Sequence, residues 1–316
     1  MEAIALDIHC HLVPVLRERL GAIAGMAWDE GQGVMVVDGA PLQPKALYAP
    51  PDLLAWMDAN GIGRALVSVP PMVYRQRLDA AAAAAWCAYL NDGLIEVCAT
   101  RPERLEPMFH LPVEHAGLAA RIAAELTDKG YRRFAMASGA GPEVILSDAS
   151  FQPLWRVLDQ AGAFLFLHPA DSCDGRLHPY YLLNLVGNPV ETAVAASHLI
   201  FSRVLERHPA LRIGLAHCGG ATAMLAGRLE RGLLTKRPGV DQAMMPPREA
   251  VRRFFVDSIA HDPGAIGLAA DVFGPDRIVF GSDWPFPMGL PDPHRQLADL
   301  SPELRKRILS ANAAAI

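Results

Sequence analysis

Short runs of β-branched, aromatic and leucine residues recur along the chain, and each gives way to a longer stretch whose apolar positions repeat at helical spacing. The first run is "IALDIH" (4–9). "ALVSVP" (65–70) follows "APPDLLAWMDANGIG", which has proline in its first turn and closes on Asn60-Gly61, the marks of a helix start and stop. "LEPMFHLP" (105–112) follows an Ala-rich stretch from Leu78 to Thr100, and "RRFAMAS" (132–138) follows "GLAARIAAELTDKG". "AFLFLHP" (163–169), "RIGLAHCG" (212–219), "RFFVDS" (253–258) and "RIVFGSDWP" (277–285) continue the series, with amphipathic segments between them. Strand–helix alternation predicts a parallel sheet, and eight such units predict an α/β protein with a closed (β/α)8 TIM barrel as one domain over residues 1–316. An open doubly wound sheet is the competing arrangement, but no G-x-G-x-x-G follows the first strand.

Residues 20–48 break the alternation. "GMAWDEGQGVMVVDGAPLQPKALY" is punctuated by Gly and Pro and holds one hairpin-like piece, "GVMVVDGAPL". This stretch is expected to be a small insertion after strand one, lying over the C-terminal mouth of the barrel. A second loop-rich stretch, "ADSCDGRLHPYYLLNLVGNPVE" (170–191), is expected to form another part of that lid.

Composition narrows the function classes. With 51% hydrophobic and 20% charged residues, the chain reads as an ordinary soluble globular protein. A net charge of −5 leaves no basic footprint for nucleic acid. The apolar start lacks the basic flank of a cleaved leader, and no apolar run approaches the ~20 residues that span a bilayer. Cys10, Cys87, Cys98, Cys173 and Cys218 are scattered and lack zinc-ribbon spacing, so free thiols in a cytoplasmic protein are expected. Cys10 and Cys218 each adjoin a histidine and, as strand neighbours, should face away from it and pack.

In a barrel of this kind the chemistry sits at the C-terminal ends of the strands. Those ends hold His9 and His11 on strand one, His168 on strand five, His217 on strand six and Asp283 on strand eight. Each admits a bland reading alone: a core histidine, a turn before Gly219-Gly220, a capping aspartate before Trp284-Pro285. Their joint occurrence at equivalent places on four strands points instead to one site. His208 ends a helix, where the dipole favours it, and His110, His115, His198 and His294 have no companion pattern. His178 and His261 are expected only as possible contacts at the mouth.

Three neutral imidazoles and one carboxylate suit a borderline divalent ion, zinc above all, which acidifies a bound water toward neutral pH. The residues predict a mononuclear centre with ligands His9, His11, His168 and Asp283, and His217 as the acid/base. Strand four ends in Ser138, with no lysine to be carboxylated and bridge a second ion.

These residues resemble the amidohydrolase superfamily. "DIHCHLVP", "FLHPAD", "LAHCGG", "RFFVDS" and "VFGSDWPFPMG" are similar to its branch of aminocarboxymuconate-semialdehyde, γ-resorcylate and 5-carboxyvanillate decarboxylases, and the likeness runs over nearly the whole chain. The resemblance implies a distorted (β/α)8 barrel with one zinc (or manganese), no organic cofactor, catalytic roles for His217 and Asp283, and loss of CO2 after protonation of the carbon bearing the carboxylate. It also implies a small anionic substrate and a homodimer in which Arg228 is lent across the interface. A second arginine expected in the insertion is absent; Lys45 is the only cation in "DGAPLQPKALYAP", with Arg176 of the other lid segment and Phe286 as further substrate contacts. The same metal site in a hydrolase or hydratase of a lactone, amide or unsaturated acid is the alternative. A structural zinc protein is disfavoured, because such sites are closed and rich in cysteine.

Overall fold

The structure is a computed structural model and describes residues 2–170 and 174–316. The parallel strands are β1 (Ile4–His11), β2 (Ile62–Ser68), β3 in two pieces (Leu105–Pro107 and Phe109–Leu111), β4 (Arg133–Ala137), β5 (Phe164–His168), β6 (Arg212–Leu215) and β7 (Phe254–Val256). Around them run helices α1 (Pro50–Ala59), α2 (Ala80–Ala99), α3 (Ala116–Asp128), α4 (Gln152–Gln160), α5 (Asn188–Phe201), α6 (Thr222–Leu234), α7 (Pro263–Phe273) and α8 (Pro302–Leu309). Helix α2 starts where the sequence allows: the Asp79 carboxylate accepts the N–H groups of Ala81 and Ala82. The result is the expected α/β barrel.

Two strands depart from expectation. β3 divides at Met108: its first piece pairs with β2 and its second with β4. Pro107 has no N–H to continue a ladder, so the chain changes partner there. The strand expected over 277–285 is reduced to two isolated parallel bridges, Ile278 to Val256 and Trp284 to Cys10, with Val279 N–H donating to Val256 O at 2.9 Å and Ile8 N–H to Phe280 O at 3.0 Å. Between the bridges Ser282 and Asp283 both donate to His9 O, at 3.1 and 2.7 Å, so the chain rolls at the end of β1 before His11 N–H donates to Trp284 O at 2.9 Å and pairing resumes. That roll closes the barrel and brings Asp283 to the first strand.

The barrel interior is filled by Leu6, Ile8, Leu66, Met108, Phe166 and Phe255, and a larger cluster joins the outer strand faces to the helices. Cys10 and Cys218 are buried in that outer cluster as packing residues. The insertion forms an antiparallel sheet of Met26–Asp29, Val34–Val37 and Ala40–Pro41. It is tied to the C-terminal end of the barrel by Val13 N–H to Leu47 O at 2.7 Å and by Arg75, on the loop after β2, to Asp38. Part of the second lid segment, with Cys173, lies outside the described residues; from Gly175 it runs as short turns into α5. Among the described residues, no helix is long and apolar enough to cross a membrane.

Candidate metal centre

The first strand carries an irregularity where it matters. Its register with β2 shifts between Asp7 and Cys10. Leu6 and Ile8 face the interior, Cys10 faces outward, and His9 and His11 again turn inward, as a bulge permits. Asp7 pins this bulge to the closing segment, accepting from His9 N–H at 3.0 Å, Ser282 N–H at 3.1 Å and the Ser282 hydroxyl at 2.6 Å. Burial lifts the Asp7 carboxyl to about 7 against the pull of its Ser282 hydrogen bond.

The predicted residues converge. The Nε2 atoms of His9 and His11 lie 3.2 Å apart, and Asp283 Oδ1 is 3.3 and 3.1 Å from them. The His168 ring centroid is 4.9 Å from that of His9 and 5.4 Å from that of His11. One donor atom from each of the four residues falls within 4.8 Å of the others, and all four residues are buried.

Their outward-facing nitrogens are occupied. His9 Nδ1 meets Asp257 Oδ2 at 2.6 Å, His11 Nδ1 meets Ser68 Oγ at 3.1 Å, and His168 Nδ1 meets Pro169 O at 2.6 Å. A proton on each Nδ1 leaves each Nε2 lone pair aimed inward, the arrangement that metal-binding histidines take from their outer partners. His168 Nε2 is buried with no hydrogen-bond partner. A buried acceptor without a donor is costly, and a cation at the shared point satisfies it. The donor set therefore fits one divalent metal ion.

Electrostatics favour neutral His11 and His168 beside an ionised Asp283, with a proton on His9 until a metal displaces it. Burial, and then the neighbouring His9, drive His168 well below the usual imidazole range, and burial also lowers His11. Asp283 is held far below the carboxylate range: burial opposes ionisation, but His9 and His11 outweigh it. For His9 burial again disfavours the charge, yet Asp283 and Asp257 on either side raise it to about 10. A metal ion competes with that proton, so binding releases it.

His217 stands beside the cluster, its ring centroid 5.0 Å from His168 and 5.5 Å from His9. It occupies a tight turn in which His217 and Cys218 have φ of 55° and 54°, followed by positive φ at Gly219 and Gly220. Left-handed conformations at two residues with side chains need support. Asp257 supplies it, accepting His217 N–H at 2.8 Å and Cys218 N–H at 2.7 Å. His217 Nδ1 is buried without a partner, and burial followed by the charge of His9 keeps the imidazole below its usual range. The side chain forms one wall of a 470 Å³ cavity shared with Asn184, Asn188, His261 and Met288.

Asp257 is the functional residue that the sequence pattern did not single out. Its only signal was a carboxylate at the C-terminal end of the seventh strand. The fit of His9 against Asp257 also depends on Gly281, where a Cβ would come within 2.7 Å of Asp257 Cβ and 2.9 Å of His9 Cβ.

The expected substrate contacts divide. The Phe286 ring lies 5.6 Å from that of His11, at the site. Lys45 is exposed in a different cleft, with Arg17, Trp28 and Glu96. Arg176 is 89% exposed and paired with Asp174, and Arg228 is exposed on α6. Among the described residues of one chain, no Arg or Lys lines the His217 cavity. His115, His198 and His294 are hydrogen-bonded to Leu78, Ser147 and Asn60, His208 is buried 4.0 Å from Asp159, and His178 is exposed. Ser138 donates its N–H to His168 O at 3.0 Å.

Comparison with known proteins gives this geometry a family. The family model described as Amidohydrolase matches residues 6–316. A 2-amino-3-carboxymuconate-6-semialdehyde decarboxylase from Dictyostelium discoideum is 26% identical over 330 residues, spanning 98% of this chain and 90% of that protein. The crystal structure of 5-carboxyvanillate decarboxylase from Sphingomonas paucimobilis superposes with a TM-score of 0.82 at 21% identity, covering 99% of this chain and 98% of that one. A dihydroxybenzoic acid decarboxylase from Polaromonas, which holds manganese and the inhibitor 2-nitroresorcinol, superposes at 0.79 with 21% identity over 100% of this chain and 96% of that one. The family match runs from the first strand to the last residue, and the chain belongs to the amidohydrolase family.

Proposed function

We propose that this protein is a metal-dependent carboxy-lyase that removes CO2 from a small aromatic or unsaturated carboxylic acid without an organic cofactor. The observation that carries the reading is the set of three inward-facing histidine nitrogens and one carboxylate oxygen beside the unpartnered nitrogen of His217. His9, His11, His168 and Asp283 would hold the ion, and bound there it supplies positive charge that anchors and polarises an oxygen of the substrate. Zinc is the ion that this nitrogen-rich, four-donor set favours, with the manganese of the Polaromonas relative as its competitor.

The residues of the chain handle the proton. His217, neutral at rest and open at one nitrogen, takes a proton from solvent and, as the imidazolium, gives it to the carbon that carries the carboxylate as the carbon–carbon bond breaks, returning to the neutral imidazole. The electron pair of that bond becomes the new C–H bond, and CO2 leaves neutral. Asp283, ionised against His9 and His11, shares this proton handling, and Phe286 offers a ring face for stacking an aromatic substrate. A homodimer completes the proposal: Tyr180, Tyr181, Met224 and Leu234 are 88%, 63%, 76% and 65% exposed, an apolar face on the lid and α6 suited to a second copy, and Arg228 lies on the same helix.

Incubation of the metal-loaded protein with a panel of benzoic and dienoic acids, lactones and amides tests the reading, following CO2 release and 18O uptake from water. Release of CO2 with no 18O in the organic product supports the carboxy-lyase. Uptake of 18O without CO2 overturns it in favour of a hydrolase or hydratase.

A further inference from the structure

Small residues hollow out the cavity beside His217: Ala223 on α6, and Ala265 and Ala269 on α7. Its apolar walls come from four separate parts of the chain. Leu185 stands on the second lid segment, Ile259 after β7, Leu268 on α7 and Met288 after Asp283. Ile259 is 2% exposed, whereas Leu185 and Leu268 are 48% and 39% exposed, so the floor is buried and the rim open. Open apolar side chains around a concave space of 470 Å³ suit the body of a small ligand, and His217 is part of the same wall.

One loop joins this cavity to the metal centre. Phe286 N–H donates to Asp283 O at 2.8 Å and Leu290 N–H to Ser282 O at 2.7 Å, which folds residues 282–290 tightly on themselves. Gly289 is required there, since a Cβ would come within 2.1 Å of Ser282 O. Asp283, at the start of the loop, belongs to the four-donor cluster; the Phe286 ring lies 5.6 Å from that of His11; and Met288 lines the cavity with His217. An acid whose reacting carbon sits between the cluster and His217 therefore has this cavity beside it for the rest of its body.

The walls hold nothing to meet a second anion. Among the described residues, no Asp, Glu, Lys or Arg lines the cavity, and its polar side chains besides His217 are Asn184, Asn188, Cys218 and His261. Burial pushes the Cys218 thiol up, so it keeps its proton. A carboxylate placed here would lose its water without gaining an ionic partner, which is costly, whereas an alkyl group would exchange water for apolar walls. We infer that the His217 cavity is a subsite for an uncharged apolar substituent of the substrate. The inference rests on the carboxy-lyase reading of the metal centre and names its substrate class: an aromatic acid with a single carboxylate, the one it loses, and a short alkyl chain on its ring.

Calorimetric binding to the metal-loaded full chain tests it without turnover. The probes are benzoate, its meta- and para-propyl derivatives, and the meta and para benzene dicarboxylates. At least one propylbenzoate is expected to bind about tenfold tighter than benzoate, and neither dicarboxylate tighter than benzoate. Ala223→Leu and Ala265→Leu, which fill the cavity from α6 and α7, should each bring the propyl ratio toward one. Arg305→Gln, beside Glu2 at the opposite end of the barrel, should keep it. Propylbenzoates that bind no tighter than benzoate, or a ratio unmoved by both leucine substitutions, would overturn the subsite. So would a dicarboxylate that binds tighter than benzoate, as a cation brought by a second copy would make it. The expected ratios together with 18O uptake and no CO2 from the wider panel of acids, lactones and amides would sustain the subsite and overturn the carboxy-lyase instead.

Discussion

Replacing Asp257 by asparagine keeps the shape of the side chain and removes its charge and half of its acceptors. Oδ2 takes the His9 Nδ1 proton at 2.6 Å and His217 N–H at 2.8 Å, while Oδ1 takes Cys218 N–H at 2.7 Å and Ile259 N–H at 2.9 Å. An amide nitrogen at either place cannot accept. If it faces His9, the imidazole escapes the clash by moving its proton to Nε2, the atom that a metal needs bare. If it faces Cys218 and Ile259, two backbone donors lose their acceptor under a turn already in the left-handed region. Each buried donor so stranded costs about 1–3 kcal/mol, so the two together cost about 2–6 kcal/mol, divided between fold and metal binding. Loss of the outer partner of a metal-binding histidine weakens affinity about 10–100-fold, or about 1.4–2.8 kcal/mol. Chelator competition should therefore give folded Asp257→Asn a zinc affinity lower by one to two decades, with a reduced Tm. A folded Asp257→Asn protein that binds zinc as tightly as the wild type would refute the tautomer argument.

Other substitutions separate the roles further. His217→Ala should keep its metal, read by elemental analysis, and lose about 10²–10⁴ in turnover; retained turnover would make the histidine structural. Gly281→Ala forces a methyl to within 2.7 Å of Asp257 Cβ and 2.9 Å of His9 Cβ, and should lower both metal content and Tm. His110 is pushed by burial from 6.5 to about 3, so the fold keeps it neutral while the unfolded chain binds a proton below the higher value. Its contribution is whole above pH 6.5 and is lost toward pH 3, by up to about 1.4 kcal/mol per pH unit. Urea unfolding of metal-free protein should show a flatter acid limb for His110→Phe, which keeps the stack on Tyr74; an unchanged slope counts against a neutral buried imidazole.

The metal centre was legible because its members carry local signals. His9 and His11 share a strand face by the period of two, and His168 and Asp283 stand beside turn-forming Pro169 and Trp284-Pro285, where strands end. What supports them was not legible. Asp257 acts on His9 from the far end of the chain, a pairing that only barrel closure creates. The bulge at Asp7–Cys10 leaves no mark in the pattern, because Ile8 and His9 are both permissible on an inner face. The eighth strand misled for a related reason: "RIVFGSDWP" has strand composition, but two N–H groups share His9 O and interrupt the ladder between Ile278 and Trp284. His110 lacked a companion in sequence since its partner, Tyr74, belongs to a loop and meets it by stacking.

Charge explains why the rim matters to a barrel whose centre is so complete. A divalent ion at the four donors would be balanced by Asp283 and by Asp257 behind His9, so these inner charges would sum to zero. Asp7, with its carboxyl lifted to about 7 by burial, can add only negative charge beneath them. A single substrate carboxylate can be met by the ion's own field, but a second finds no surplus there. Within one chain the cations put forward by the sequence are peripheral: Lys45 in another cleft, Arg176 on Asp174, and Arg228 on an exposed helix face. Any further negative charge on the acid must then be met from outside this centre. The strand ends thus set where the ion and His217 would stand, while the charge that meets a second anionic group lies outside them.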